Sequence, residues 1–235
     1  MTRMELRLTA RRGENLLVTI VIPAVVLVFF SSVAVIPAAG RQVDFLLPGS
    51  LALAIIATSL VNLGIATAYE RHYGVLKRLG GSPLTRADLI VAKMAAVLAV
   101  ELLQVALLVV IAVVLLGWRV PAGAPLGLAI VAVLLGTAAF AGLGLAMAGG
   151  LRAEATLAIA NGLFLAFLLL GGIVLPLDHL PAPLAALGSV LPASALADLF
   201  RAGLGAGGDA TRSLVVLAAW ALAAVGVAVR TFRWE

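Results

Sequence analysis

Two charged residues stand inside an otherwise apolar run of the sequence. Lys93 and Glu101 both fall within 89–116, a Leu-, Val- and Ala-rich stretch long enough to cross a bilayer. Glu101 lies eight residues past Lys93, about 12 Å deeper at 1.5 Å per residue and so near the middle of the hydrocarbon. A carboxylate at that depth costs at least about 2.5 kcal/mol to insert. It must face protein or water, or carry a proton. Gln104, three residues on, shares its helical face. Asn62 and Asn161, in two other apolar runs, are the candidate partners. Such a cluster either lines a substrate path or gate, or clasps helices together through hydrogen bonds, and the pattern favours neither.

Catalytic constellations are missing. No G-x-x-x-x-G-K-[ST] loop and no H-E-x-x-H occurs. Only one acid lies inside an apolar run, so paired-carboxylate chemistry lacks its second member. A Ser–His couple would need His179 with Ser189 or Ser194, and no spacing favours it. With no cysteine, thiol redox chemistry and thiolate metal sites are excluded. The chain reads as no enzyme on its own.

The elements that must position these groups are membrane helices. Of 235 residues 63% are hydrophobic and only 11% charged, against about a quarter charged in soluble domains. Apolar runs of spanning length recur at 16–37, 45–68, 89–116, 124–148, 155–175 and 213–229. This predicts an all-α integral membrane protein, one transmembrane domain over 1–235 with no nucleotide-binding domain. The +5 net charge suggests nucleic acid less than topology, because Lys and Arg sit at the ends of the apolar runs. With the N-terminus cytoplasmic, the inside receives Arg3, Arg7, Arg11, Arg12, Arg71, Lys77, Arg78, Arg86, Lys93, Arg152, Arg230 and Arg233. The outside receives only Arg41, Arg119, Arg201 and Arg212. Both termini are therefore expected inside. Val35 to Gly40 loosely imitates a signal-peptide cleavage site, but the preceding apolar run is too long, and no cleavage is expected.

Three stretches outside the spans carry pattern. Residues 1–14 mix Met4, Leu6 and Leu8 with Arg and Glu, which suits a short interfacial helix. In 69–88, Tyr69, Tyr73, Leu76 and Leu79 fall at helical spacing, Gly80-Gly81-Ser82-Pro83 ends that helix, and Thr85 with Asp88 has capping-box spacing. A short amphipathic helix over 69–80 is expected, then a freshly capped span three. Between spans five and six, 176–200 is apolar but broken by Pro176, Pro181, Pro183 and Pro192, which fits two short helices re-entering the outer leaflet. Ala138, Gly142 and Ala146 make a narrow groove on span four for close helix packing, and Gly149-Gly150 and Gly171-Gly172 suit packing or hinges.

The run Glu70-Arg71-His72-Tyr73-Gly74-Val75-Leu76-Lys77-Arg78-Leu79, followed by Gly80, Pro83-Leu84 and Arg86, resembles the signature of ABC-2-type transporter permeases, E-R-x-x-G-x-L-x-R-L then a small residue, P-L and a basic position. Asp44 to Gly49, Leu191-Pro192 with Ala197-Asp198 and Arg201, and the closing Phe232 to Glu235 also resemble family features. The resemblance implies a multi-pass subunit of the plasma (inner) membrane, pairing with a second permease subunit, identical or related. Each would dock a separate cytosolic ABC ATPase that binds ATP and Mg, while this chain binds no cofactor directly. It implies ATPase coupling through Glu70, Arg71, Gly74, Leu76, Arg78, Leu79, Pro83 and Leu84, and re-entrant helices closing the outer end. Family members mostly export drugs, antibiotics, lipids or polysaccharides, and without a large outer domain this chain is similar to the compact drug-resistance type. Membrane lipid is an expected partner and nucleic acid is not. The pathway residues would be Glu101, Gln104 and Asn161. The rival readings are a proton-coupled carrier or channel in which Glu101 titrates, and a scaffold or sensor that transports nothing.

Overall fold

The computed structural model describes residues 13–33, 41–80 and 85–231. Most of the expected interfacial helix at 1–14, the closing Phe232 to Glu235, and Pro83 and Leu84 lie outside the described residues. Within them there is helix and turn but no strand. The helices are α1 (Gly13–Ser32), α2 (Gln42–Ile55), α3 (Leu63–His72), α4 (Val75–Gly80), α5 (Arg86–Leu116), α6 (Leu126–Gly150), α7 (Ala153–Leu170), α8 (Ala182–Gly188), α9 (Pro192–Gly203) and α10 (Ala210–Thr231). A π-helical turn, Ile56–Asn62, joins α2 to α3 into one rod, Gln42–His72. That rod, α5 from Asp88, α6, α7 and α10 are each long and apolar enough to cross a membrane, and α1 contributes a shorter apolar helix over Val21–Ser32. The chain is an all-α integral membrane fold.

The central rod is the core of the bundle. Its apolar window is 78% buried, against at most 44% for the other spans. Helix α2 is apolar on every side, so it can be surrounded: α1, α5, α6, α7 and α9 all pack on the rod. The last helix, α10, lies along α6 and also touches α9.

Small residues set two of these crossings. A Cβ on Gly142 would come within 2.8 Å of the Ala224 backbone, so the expected groove on span four receives α10. A Cβ on Gly144 would meet the carbonyl oxygens of Leu60 and Ser59 at 2.9 Å and the Cα of Gly64 at 3.3 Å. Here α6 crosses the central rod with backbone against backbone, beside the π turn.

The ends of α5 are fixed locally. Thr85 Oγ1 accepts from the Asp88 amide at 3.1 Å and Asp88 Oδ2 accepts from the Thr85 amide at 3.0 Å, the expected capping box. At the other end Gly117 adopts φ 62°, and Arg41 donates to the carbonyls of Leu116 at 2.9 Å and Gly117 at 3.0 Å.

After α7 the chain turns at Gly171 and at Gly172, whose φ is 64°. Helices α8 and α9 follow, bent by 75° at the Pro192 break. Their corner is held by Ser194 Oγ, which donates to the Gly188 carbonyl at 2.6 Å. Arg201 of α9 pairs with Asp198 at 2.6 Å, donates to the Gly172 carbonyl and lies 4.2 Å over the Phe45 ring. One guanidinium thus ties α9 to α2 and to the turn after α7.

Candidate functional site

The segment with the strongest sequence signal is the far end of the central rod. The expected single helix over 69–80 is in fact two pieces, a correction the backbone explains. Residues 69–72 complete the long rod, the chain turns through Tyr73 and Gly74, and α4 begins at Val75. Gly74 sits at φ 70°, a conformation glycine adopts without penalty, and its amide bonds back to the Arg71 carbonyl at 3.0 Å.

Each side of this break is anchored. Glu70 accepts from Lys93 Nζ at 2.6 Å, joining the rod to α5; Lys93 is 2% exposed and Glu70 14%. Arg71 donates to the carbonyls of Gly149 and Leu151, where α6 ends. Those carbonyls have no partner within the helix, and a cation beside them also meets the negative end of its dipole. Leu76 of α4 is fully buried beside Leu63, Leu89, Ile90, Leu145 and Ala228. Tyr73 and Lys77 remain exposed, with Tyr73 stacked on Tyr69 at 6.1 Å. Arg78 and Leu79 lie on α4, and Pro83 and Leu84 outside the described residues. The result is a rod end tied to α5 and α6, with α4 joined to it through the turn at Gly74 and seated by Leu76, and with Tyr73 of the turn and Lys77 of α4 exposed. Sequence reading missed the Glu70–Lys93 pair, although a lysine inside an apolar run signals a buried partner.

The intramembrane polar groups form a second cluster. Ser59 of the π turn and Thr137 of α6 each donate to one carboxylate oxygen of Glu101. Thr58 donates to Gln104 Oε1 at 2.9 Å, and the Val133 carbonyl, 2.7 Å from Thr137 Oγ1, competes with Glu101 for the one Thr137 hydroxyl proton. Glu101 is 0% and Gln104 1% exposed. Three spans meet at this junction, and a π turn is a common feature of functional positions in helices. Glu101 and Gln104 do share a face. The expected partners differ: Glu101 is held by Ser59 and Thr137, not by Asn62 or Asn161. Asn161 is exposed and donates to the Leu157 carbonyl of its own helix at 2.9 Å. The reason is angular, because Thr156, Ala160 and Phe167 set the buried face of α7 and Asn161 follows Ala160 by one residue.

Comparison with known families matches residues 1–204 to the model described as ABC-2 type transporter. No curated protein matches the chain.

Proposed function

Since the chain belongs to the ABC-2 type transporter family, we propose that it is the membrane-spanning subunit of an ATP-driven exporter, working with a separate cytosolic ABC ATPase and a second permease subunit. The observation that carries this reading is the anchoring of the rod end from which α4 hangs: Glu70 ties it to α5, Arg71 ties it to α6, and the turn at Gly74 joins it to α4. A push on α4 reaches the central rod through the turn at Gly74, and from the rod it passes to α5 through Glu70–Lys93 and to α6 through Arg71. Glu70, Arg71, Gly74, Leu76, Arg78, Leu79, Pro83 and Leu84 are the coupling residues of this proposal. ATP and Mg bind to the partner, whose hydrolysis supplies the work. The cargo is a drug-like, antibiotic or lipid-like molecule leaving the cytoplasm or inner leaflet of the plasma membrane, and the bent pair α8–α9 closes the outer end. Glu101, Gln104 and Asn161 are the pathway residues of the same proposal. Asn161 reaches a pathway only across the exposed face of α7, as at a contact with the second subunit.

A tagged chain purified from its native membrane in mild detergent tests this directly. The expected result is a co-purifying ATPase that is lost when α4 is replaced by a Gly-Ser segment of equal length. Full activity in vesicles without any ATPase, abolished by collapsing the proton gradient, would overturn it. That outcome favours the second reading, a proton-coupled carrier or channel, which rests on the buried Glu101 carboxylate between two hydroxyls.

A further inference from the structure

The end of the bundle remote from α4 holds a cavity of about 610 Å³. Arg41, Arg119 and Arg201 line it, together with the carboxylates of Asp44 and Asp178. Arg201 is only 9% exposed, yet its Nε has no hydrogen-bond partner among the described residues. Buried donors are seldom left unmade, because each unmet one is costly. The atom is itself enclosed, so an acceptor in the cavity reaches it only when the side chains around Arg201 shift, and Arg119 supplies the chamber with an accessible guanidinium.

A second hollow of about 320 Å³ runs between α5 and α6, lined by Leu102, Val105, Ile130, Leu134 and Phe200 among other apolar side chains. Leu204, just past the end of α9, lines both spaces, so the charged chamber and the apolar slot are neighbours across one leucine side chain. Leu102, Ile130 and Leu134 are 54%, 63% and 51% exposed on the outside of the bundle, which leaves the slot open sideways to bilayer chains.

We propose that chamber and slot form one binding site for an amphiphile with a zwitterionic phosphate-ester headgroup. Guanidinium groups match phosphate oxygens in geometry as well as charge, and they hold the phosphate. Asp44 and Asp178 receive the ammonium group of the same headgroup. Both signs of charge in one chamber select a zwitterion over a simple anion. One alkyl chain lies along the slot, where carbon meets only carbon. The site does not depend on the exporter reading and would exist in a chain that moves nothing.

The test is native mass spectrometry of the full chain in nonionic detergent. The probes are a lysophosphatidylethanolamine, the lysophosphatidylglycerol and monoacylglycerol of equal chain length, and phosphoethanolamine alone. The lysophosphatidylethanolamine is expected to bind about tenfold more tightly than the monoacylglycerol, the size of one charge-assisted contact. Arg119→Gln, at an exposed position, should remove most of that preference. Leu102→Trp with Ile130→Trp, also at exposed positions, should fill the slot and weaken every chain-bearing probe. Equal binding of all three amphiphiles overturns the proposal and marks ordinary bilayer contact. Equal binding of the two lysophospholipids overturns the zwitterion assignment. Phosphoethanolamine binding as tightly as the amphiphile removes the slot from the site and leaves a soluble phosphoester as the ligand.

Discussion

Lys93 has almost no access to water, so its ammonium group leans on the carboxylate of Glu70. Breaking a buried pair from one side is far more damaging than removing both partners, because the survivor keeps an uncompensated charge. Glu70→Gln should therefore lower stability by about 3 kcal/mol, and adding Lys93→Met should recover most of it. Thermal unfolding of the detergent-solubilised single and double variants measures this. A coupling defect in Glu70→Gln is informative only where the double variant, once stable, shows it too. Glu101 behaves differently, since its partners are hydroxyls. Glu101→Gln keeps the shape of the junction and should cost no more than about 1 kcal/mol, with ATP-driven transport retained. Loss of transport with stability intact moves the weight to the proton-coupled reading only where collapsing the proton gradient also stops the parent chain; otherwise it marks Glu101 as a pathway residue. At this scale the sequence exposed Glu101 and Gln104 plainly, because charge and amide stand out in an apolar run. It hid Ser59, Thr58 and Thr137, because small hydroxyl residues look like ordinary filler in membrane helices. Asn161 misled for the complementary reason: a conspicuous side chain turned to the exposed face of its helix, content with its own backbone.

Among the elements, the crossing of α6 over the central rod is the tightest argument for a particular glycine. A methyl group at Gly144 would press on backbone oxygens that cannot swing aside. Gly144→Ala should thus cost about 2 kcal/mol through overpacking, whereas Gly150→Ala, which meets open space, should change the melting temperature little. Comparable losses at both positions would show that helix flexibility, not contact, is at stake. The start of α5 was legible in advance, because Thr85 and Asp88 satisfy each other within four residues. The π turn was not, since a widened turn leaves no mark on the hydropathy of 45–68. The break at Gly74 lay between. Its glycine was visible, but the periodicity of Tyr69, Tyr73 and Leu76 runs smoothly through it.

For the molecule as a whole, the positions of the helices were legible because bilayer thickness imposes a length that apolar composition reports. Which helix lies at the centre was not, because a span surrounded by protein and one surrounded by lipid can be equally apolar. Orientation rests on the distribution of Lys and Arg, and a chain without cysteine allows a clean test. Lys77→Cys and Ala122→Cys place single thiols on exposed positions at opposite ends of the bundle. In intact cells an impermeant maleimide should label Ala122→Cys and spare Lys77→Cys, and the reverse pattern would invert the topology. The π turn also makes the central rod unusually forgiving of one kind of change. A widened turn is an α-helix with one spare residue wound in. Removing a residue from α3 would swing everything beyond it by about 100° and scatter the contacts of Glu70 and Arg71. Removing one from Ile56–Asn62 should let the winding relax to ordinary pitch, forfeiting bonds of Thr58 or Ser59 while both halves of the most enclosed rod keep their present bearings.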